Sequence, residues 1–237
     1  MNTDPAEPPV VLLHGLATSA DRTWRETGWI DILGDTGRRV VAPPLPGHDG
    51  PDAPTEPDAY VGFEAQVAAL LPEGPIDAVG FSLGARTLLV LAAAEPTRFR
   101  RLVVAGVGDN LFRRDGSSAV LAAALESLAA GRADDEAAAN PMVRHFATLA
   151  SSCGVSLGAL SALLRRPDPP DVTPELLAGV QVPVCVVLGD ADFAGPAQPL
   201  LDALPDAVHV PLRGVDHFST PRSFAFVDAA LAHLGLS

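Results

Sequence analysis

Residues Gly80-Phe81-Ser82-Leu83-Gly84 decide how this chain is read. They follow an apolar run, Ile76 with Ala78 and Val79, and they open a helix-like stretch from Ala85 to Ala94. A strand, a sharp turn and a helix are the setting in which G-x-S-x-G makes a nucleophile elbow. Ser82 then stands at the apex with its hydroxyl exposed at the top of a sheet. Glycines on either side remove side chains that would collide in so tight a turn. The backbone N–H of Leu83 lies at the positive end of the new helix, facing any oxyanion that develops there.

Outward from the elbow, strand-like and helix-like segments alternate. Residues 10–13, 38–42, 76–81, 101–105, 182–188 and 207–212 read as strands. Residues 29–33, 59–71, 85–94 and 221–234 read as helices, the last with Pro221 in its first turn. Apolar strands alternating with helices imply a parallel sheet covered on both faces. From 108 to 173 the alternation stops, and three helical pieces are expected instead: 117–130, 134–152 with Pro141 interrupting, and 156–166. The turn signals Arg165-Arg166-Pro167-Asp168-Pro169-Pro170 close that stretch. The expected architecture is α/β: a mostly parallel central sheet of about six strands, helices on both faces, and a helical cap over the edge where open α/β sheets bind ligands. The core is expected at 1–107 and 174–237, and the cap at 108–173.

Composition removes several function classes. The net charge is −13, a poor match for nucleic acid or an anionic membrane surface. All 16 basic residues are Arg, so a Walker-A lysine, a Schiff-base lysine and an S-x-x-K site are impossible. No apolar run approaches the ~18 residues of a membrane span. The acidic, proline-rich stretch 1–9 has neither the basic nor the apolar region of a signal peptide, so a soluble cytoplasmic protein is expected. Cys153 and Cys185 form no disulfide framework, and Cys185 reads as a small core residue. No metal-ligand spacing is present around the dispersed histidines, and no cofactor is implied. The expected partner is a small-molecule substrate. Oligomeric state is not readable.

A serine nucleophile needs a base, and the base needs an orienter. His217 is the base candidate, because Leu212-Arg213-Gly214-Val215-Asp216-His217 lies between the last strand and the last helix, at the same sheet edge as the elbow. His209 falls within a strand, His233 on the last helix, and His145 in the cap. Asp190 and Asp192 follow the fifth strand, and their spacing does not choose between them. Asp216 ranks last, since adjacent residues rarely aim their side chains suitably at one another.

The landmarks Leu12-Leu13-His14-Gly15, Pro44-Leu45-Pro46-Gly47-His48, Gly80 to Gly84, Gly189-Asp190-Ala191-Asp192 with Pro196, and Gly214 to His217 resemble the α/β-hydrolase superfamily over nearly the whole chain. Their Ser, Asp, His order is the superfamily's order. The resemblance implies Asp192 as the acid, because the family's acid usually closes a G-x-x-D pattern. It also implies the Leu16 N–H as the second oxyanion-hole donor, with His14 shaping the turn. Three departures stand out. The family's opening antiparallel pair is expected to be missing, no glycine follows Leu16, and the elbow ends in Gly84-Ala85 where relatives often have two glycines.

The expected function is serine hydrolysis of a small carboxylic ester through Ser82, His217 and Asp192, with Leu16 and Leu83 N–H groups at the oxyanion. Alternatives on the same triad are a C–C bond hydrolase, a lactonase, a perhydrolase or a lyase of the menaquinone-pathway type. A non-catalytic small-molecule binding protein is the rival of a different class. Phe81, Phe218, Trp24 and Arg86 are the candidate pocket residues, Arg86 as a partner for a substrate carboxylate.

Overall fold

Continuous runs of branched apolar residues form strands buried on both faces. β1 (Val10–Leu13), β3 (Ile76–Phe81) and β5 (Val184–Gly189) are buried throughout, and β4 (Phe99–Ala105) is buried from Leu102 on, while the edge strands β2 (Val40–Val41) and β6 (Ala207–Leu212) are partly exposed. The computed structural model describes residues 7–132 and 140–236. Within it the strands form one sheet in the order β2-β1-β3-β4-β5-β6, every pair parallel. The expected sheet of about six strands is the one observed, and the chain has the α/β-hydrolase fold.

Alternation along each strand divides the core in two. Val11 and Leu13 of β1 face one layer, which holds α2 (Phe63–Leu70), α3 (Leu83–Ala94), α7 (Pro174–Leu177) and α8 (Gln198–Ala203). Val10 and Leu12 face the other, with α1 (Trp29–Asp35) and α9 (Phe224–Leu234). Trp29 is the keystone of that second layer. Its ring lies 4.6 Å from Phe226, and its indole N–H donates to the Pro221 carbonyl at 2.9 Å. The sequence doubles back between β1 and β3, so their C-terminal ends border the crevice where such sheets bind ligands.

Between β4 and β5 lie α4 (Ser117–Ala129), α5 (Pro141–Cys153) and α6 (Leu157–Leu164). They share a third apolar cluster, Leu125, Phe146, Ala150, Val155 and Leu160, which also takes in Ala17. The buried Ser161 hydroxyl donates to the Ala122 carbonyl at 2.8 Å and joins α6 to α4. Of the helix expected over 134–152, the described part begins at Pro141, which occupies the first turn of α5, where its missing N–H costs nothing, and Asn140 accepts the Met142 N–H at 2.9 Å. One expectation needs correction. Gly62 divides the helix expected over 59–71 into a short 3₁₀ turn, Pro57–Tyr60, and α2, because it takes a left-handed φ of 64°. The start of the expected 134–152 helix and most of the stretch 1–9 lie outside the described residues. Among the described residues, no helix is long and apolar enough to cross a membrane.

Candidate active site

The elbow forms at the end of β3 because of two close approaches. A Cβ on Gly80 would sit 2.7 Å from the Ala85 backbone, inside the turn. A Cβ on Gly84 would be driven into the Leu13 carbonyl of the neighbouring strand. With both absent, α3 starts directly against β1, and the Gly84 N–H donates to the His14 carbonyl at 3.0 Å. Ser82 at the apex has φ 52° and ψ −111°, a conformation that non-glycine residues seldom adopt. Its N–H is anchored on the Ala105 carbonyl at 2.8 Å.

That strain aims the Ser82 Oγ at His217 Nε2, 3.0 Å away. His217 is 3% exposed, and its Nδ1 lies 2.9 and 3.0 Å from the two oxygens of Asp192. A carboxylate only accepts, so the ring proton sits on Nδ1, and Nε2 is left as an acceptor for the serine hydroxyl. The Ala194 N–H holds Asp192 Oδ1 at 2.8 Å. Phe81 and Phe193 pack on the imidazole with ring centroids 4.9 and 4.2 Å away, and Phe218 meets it edge-on.

The other two acids do different work. Asp190 accepts the Gly214 N–H at 2.7 Å and so braces the loop that carries His217. Asp216 accepts the Ser219 N–H at 2.8 Å, and hydrogen bonding from the Ser219 side chain and backbone holds its carboxyl below the usual range. Geometry therefore selects Asp192, the residue that the G-x-x-D pattern implied.

Two buried histidines shape the turn after β1. His14 donates through Nδ1 to the Gly15 carbonyl at 2.9 Å and accepts the Leu45 N–H on Nε2 at 3.1 Å. His48 Nε2 accepts the Ala17 N–H at 3.1 Å. The rings meet at 5.0 Å, nearly perpendicular. Burial pushes His14 down to about 4 and His48 to about 3, so both are neutral. Ala17 has φ 63°, a left-handed conformation that glycine would adopt more readily; the bond from His48 helps to hold it. The role of His48 escaped the sequence reading, although Pro44 to His48 stood among its landmarks. With the Gly84 and Ala17 N–H groups engaged, Leu83 begins α3 without an intrahelical acceptor, and the Leu16 N–H has no partner among the described residues.

Ser82 and His217 open into a cavity of about 520 Å³ between this edge and α5. Phe81 and Phe218 line it as expected, joined by Phe146 and His145 of α5, whose ring stacks on Phe218 at 3.6 Å. The other two pocket candidates are corrected. Trp24 is fully buried against Trp29, behind the wall, because its ring completes the second core layer. Arg86 is also absent from the lining. It donates to Glu64 at 2.8 Å and to the Pro170 carbonyl, and Glu64 takes Arg166 at 3.1 Å as well.

This chain belongs to the α/β-hydrolase-fold family, whose model matches residues 8–171. The match covers the elbow but ends before Asp192 and His217. Among curated proteins it is 38% identical to a pimeloyl-[acyl-carrier protein] methyl ester esterase of Aromatoleum aromaticum over 116 residues, 47% of this chain and 42% of the relative. It is 33% identical to the mouse sn-1-specific diacylglycerol lipase ABHD11 over 111 residues, 45% of this chain and 35% of the relative. The chain thus spans under half the length of these relatives. Among solved structures, the enol-lactonase of Burkholderia xenovorans LB400 superposes with a TM-score of 0.70 at 21% identity, over 99% of this chain and 94% of that one, a likeness of fold.

Proposed function

We propose that this protein is a serine esterase that cleaves small carboxylic esters through an acyl-enzyme. The observation that carries the reading is the unbroken chain from Ser82 Oγ through His217 to Asp192, with contacts of 3.0 and 2.9 Å, at the floor of a cavity. In this mechanism Ser82 Oγ attacks the ester carbonyl while His217 Nε2 takes the hydroxyl proton. Asp192 keeps the other imidazole proton on Nδ1 and stabilises the imidazolium. The tetrahedral oxyanion accepts from the Leu16 and Leu83 N–H groups. His217 returns its proton to the departing alcohol, and water repeats the sequence to free the acid. Both named curated relatives act on carboxylic esters, which supports the same bond here.

In the same reading, 108–173 forms a cap over a core of 1–107 and 174–237, and α5 supplies its contribution to the cavity. Both cysteines are unpaired, which fits a reducing compartment such as the cytoplasm.

The test is Ser82→Ala. Hydrolysis of short p-nitrophenyl esters should fall by about 10⁴-fold or more while the circular dichroism spectrum stays native. Covalent labelling by a fluorophosphonate should vanish with it. Activity retained within tenfold of the parent would sink the proposal, and a parent that never labels would point to a binding protein on the same fold.

A further inference from the structure

The cavity is not uniform. Near the imidazole its wall is aromatic: Phe81 and Phe218 lie against His217, and Phe146 lies against Phe218. Elsewhere two arginines from separate segments belong to the lining, Arg22 in the turn Asp21–Arg25 and Arg222 in the turn Thr220–Arg222. In a chain with 29 acidic and 16 basic residues, two cations at one cavity run against the overall charge.

The two arginines differ in state. Arg22 donates to Glu26 at 2.5 Å, so its charge is matched within its own turn. Arg222 is exposed, and among the described residues no carboxylate, carbonyl or ring takes its guanidinium. Asp216, the one carboxylate of the lining among the described residues, lies in no ion pair with Arg222 and is held by the Ser219 N–H instead. Among the described residues, one cation without a partner thus belongs to the lining of a cavity whose wall beside the imidazole is aromatic. A guanidinium presents a planar fork of donors that matches a carboxylate.

We propose that the site takes esters whose far end carries a single negative charge, monoesters of dicarboxylic acids, and that Arg222 binds the free carboxylate. The proposal rests on the esterase reading for the bond that is cut. It assigns the charge-recognition role, expected at Arg86 from its place one turn past Ser82, to a residue 136 positions further along the chain, the separation being 222 less 86.

The experiment compares monomethyl adipate with methyl hexanoate, following acid release. The parent should prefer the charged ester. Arg222→Ala should lower the charged-to-neutral ratio of kcat/KM about tenfold, mainly through KM, with Arg222→Lys recovering part of it. Because Arg222 is exposed, the parent's preference should also shrink as ionic strength rises. Binding is measured separately in the Ser82→Ala protein, which should take up monomethyl adipate about tenfold more tightly than the Ser82→Ala/Arg222→Ala protein. A parent ratio at or below one, or a ratio and affinity that Arg222→Ala leaves alone, overturns the proposal. If no ester is cleaved and no fluorophosphonate label is taken up, the esterase reading fails by itself, and the binding comparison still decides the role of Arg222.

Discussion

His217 is held on every side. Asp192 takes Nδ1, Ser82 faces Nε2, and Phe81 and Phe193 press on the ring. The carboxylate's contribution is therefore the tautomer rather than the position. Asp192→Asn keeps the shape but replaces one acceptor oxygen with a donor, which favours a proton on Nε2 and removes the base. The expected outcome is a fall of about 10⁴-fold in kcat with little change in thermal midpoint, read from ester hydrolysis and a melting curve. A loss under tenfold would mean that Asp192 does not set the protonation state. At this scale Ser82 and His217 were legible in the sequence, because each sits in a short local pattern. Spacing alone left Asp190 and Asp192 open, and only the resemblance implied Asp192, the carboxylate that reaches across 25 residues to the ring.

Among the elements, the junction of α3 with β1 matters most. The helix can start where it does because Gly84 lies directly on the Leu13 carbonyl. Gly84→Ala forces helix and strand apart and should destabilise the fold by about 2 kcal/mol or more, seen as a lower urea midpoint. Fluorophosphonate labelling of Ser82 should slow in the same variant, because the apex moves with the helix. An unchanged midpoint would show that the junction has slack. The strands were readable at this scale from their apolar runs. The break at Gly62 and the helix start at Pro141 were not, because the same residue types that interrupt a helix also begin or end one.

The whole molecule is linked by the neutral pair His14 and His48, which ties the turn after β1 to the loop after β2. Both are held uncharged by burial, down to about 4 and about 3. In the unfolded chain each would titrate near 6.5. Between about pH 6.5 and 4 the unfolded state therefore gains protons that the folded state refuses, and stability falls as pH falls, by about 1.4 kcal/mol per pH unit for each ring. Above pH 6.5 the pair adds no slope. His48→Gln, whose amide oxygen can still accept the Ala17 N–H, should flatten this part of the curve relative to the parent, as measured by urea unfolding at several pH values. Equal slopes would exclude His48 as a source of the acid sensitivity.

The sequence by itself determined the parallel sheet and the elbow, and it pointed to Ser82 and His217 as the candidate nucleophile and base. Those readings depend on continuous apolar runs and on turn chemistry, which act over a few neighbouring residues. The tertiary structure alone decided that Trp24 and Arg86 lie outside the cavity lining and that His48 holds the Ala17 turn, and it brought Asp192, which the resemblance implied, onto the imidazole. It also decided that Arg222 joins the cavity lining without a counter-ion among the described residues. Each of these turns on where a side chain points after distant segments meet, as when Ser82 meets His217 across 135 positions. Direction at that range is set by the packing of the sheet and its helices, and no local pattern encodes it.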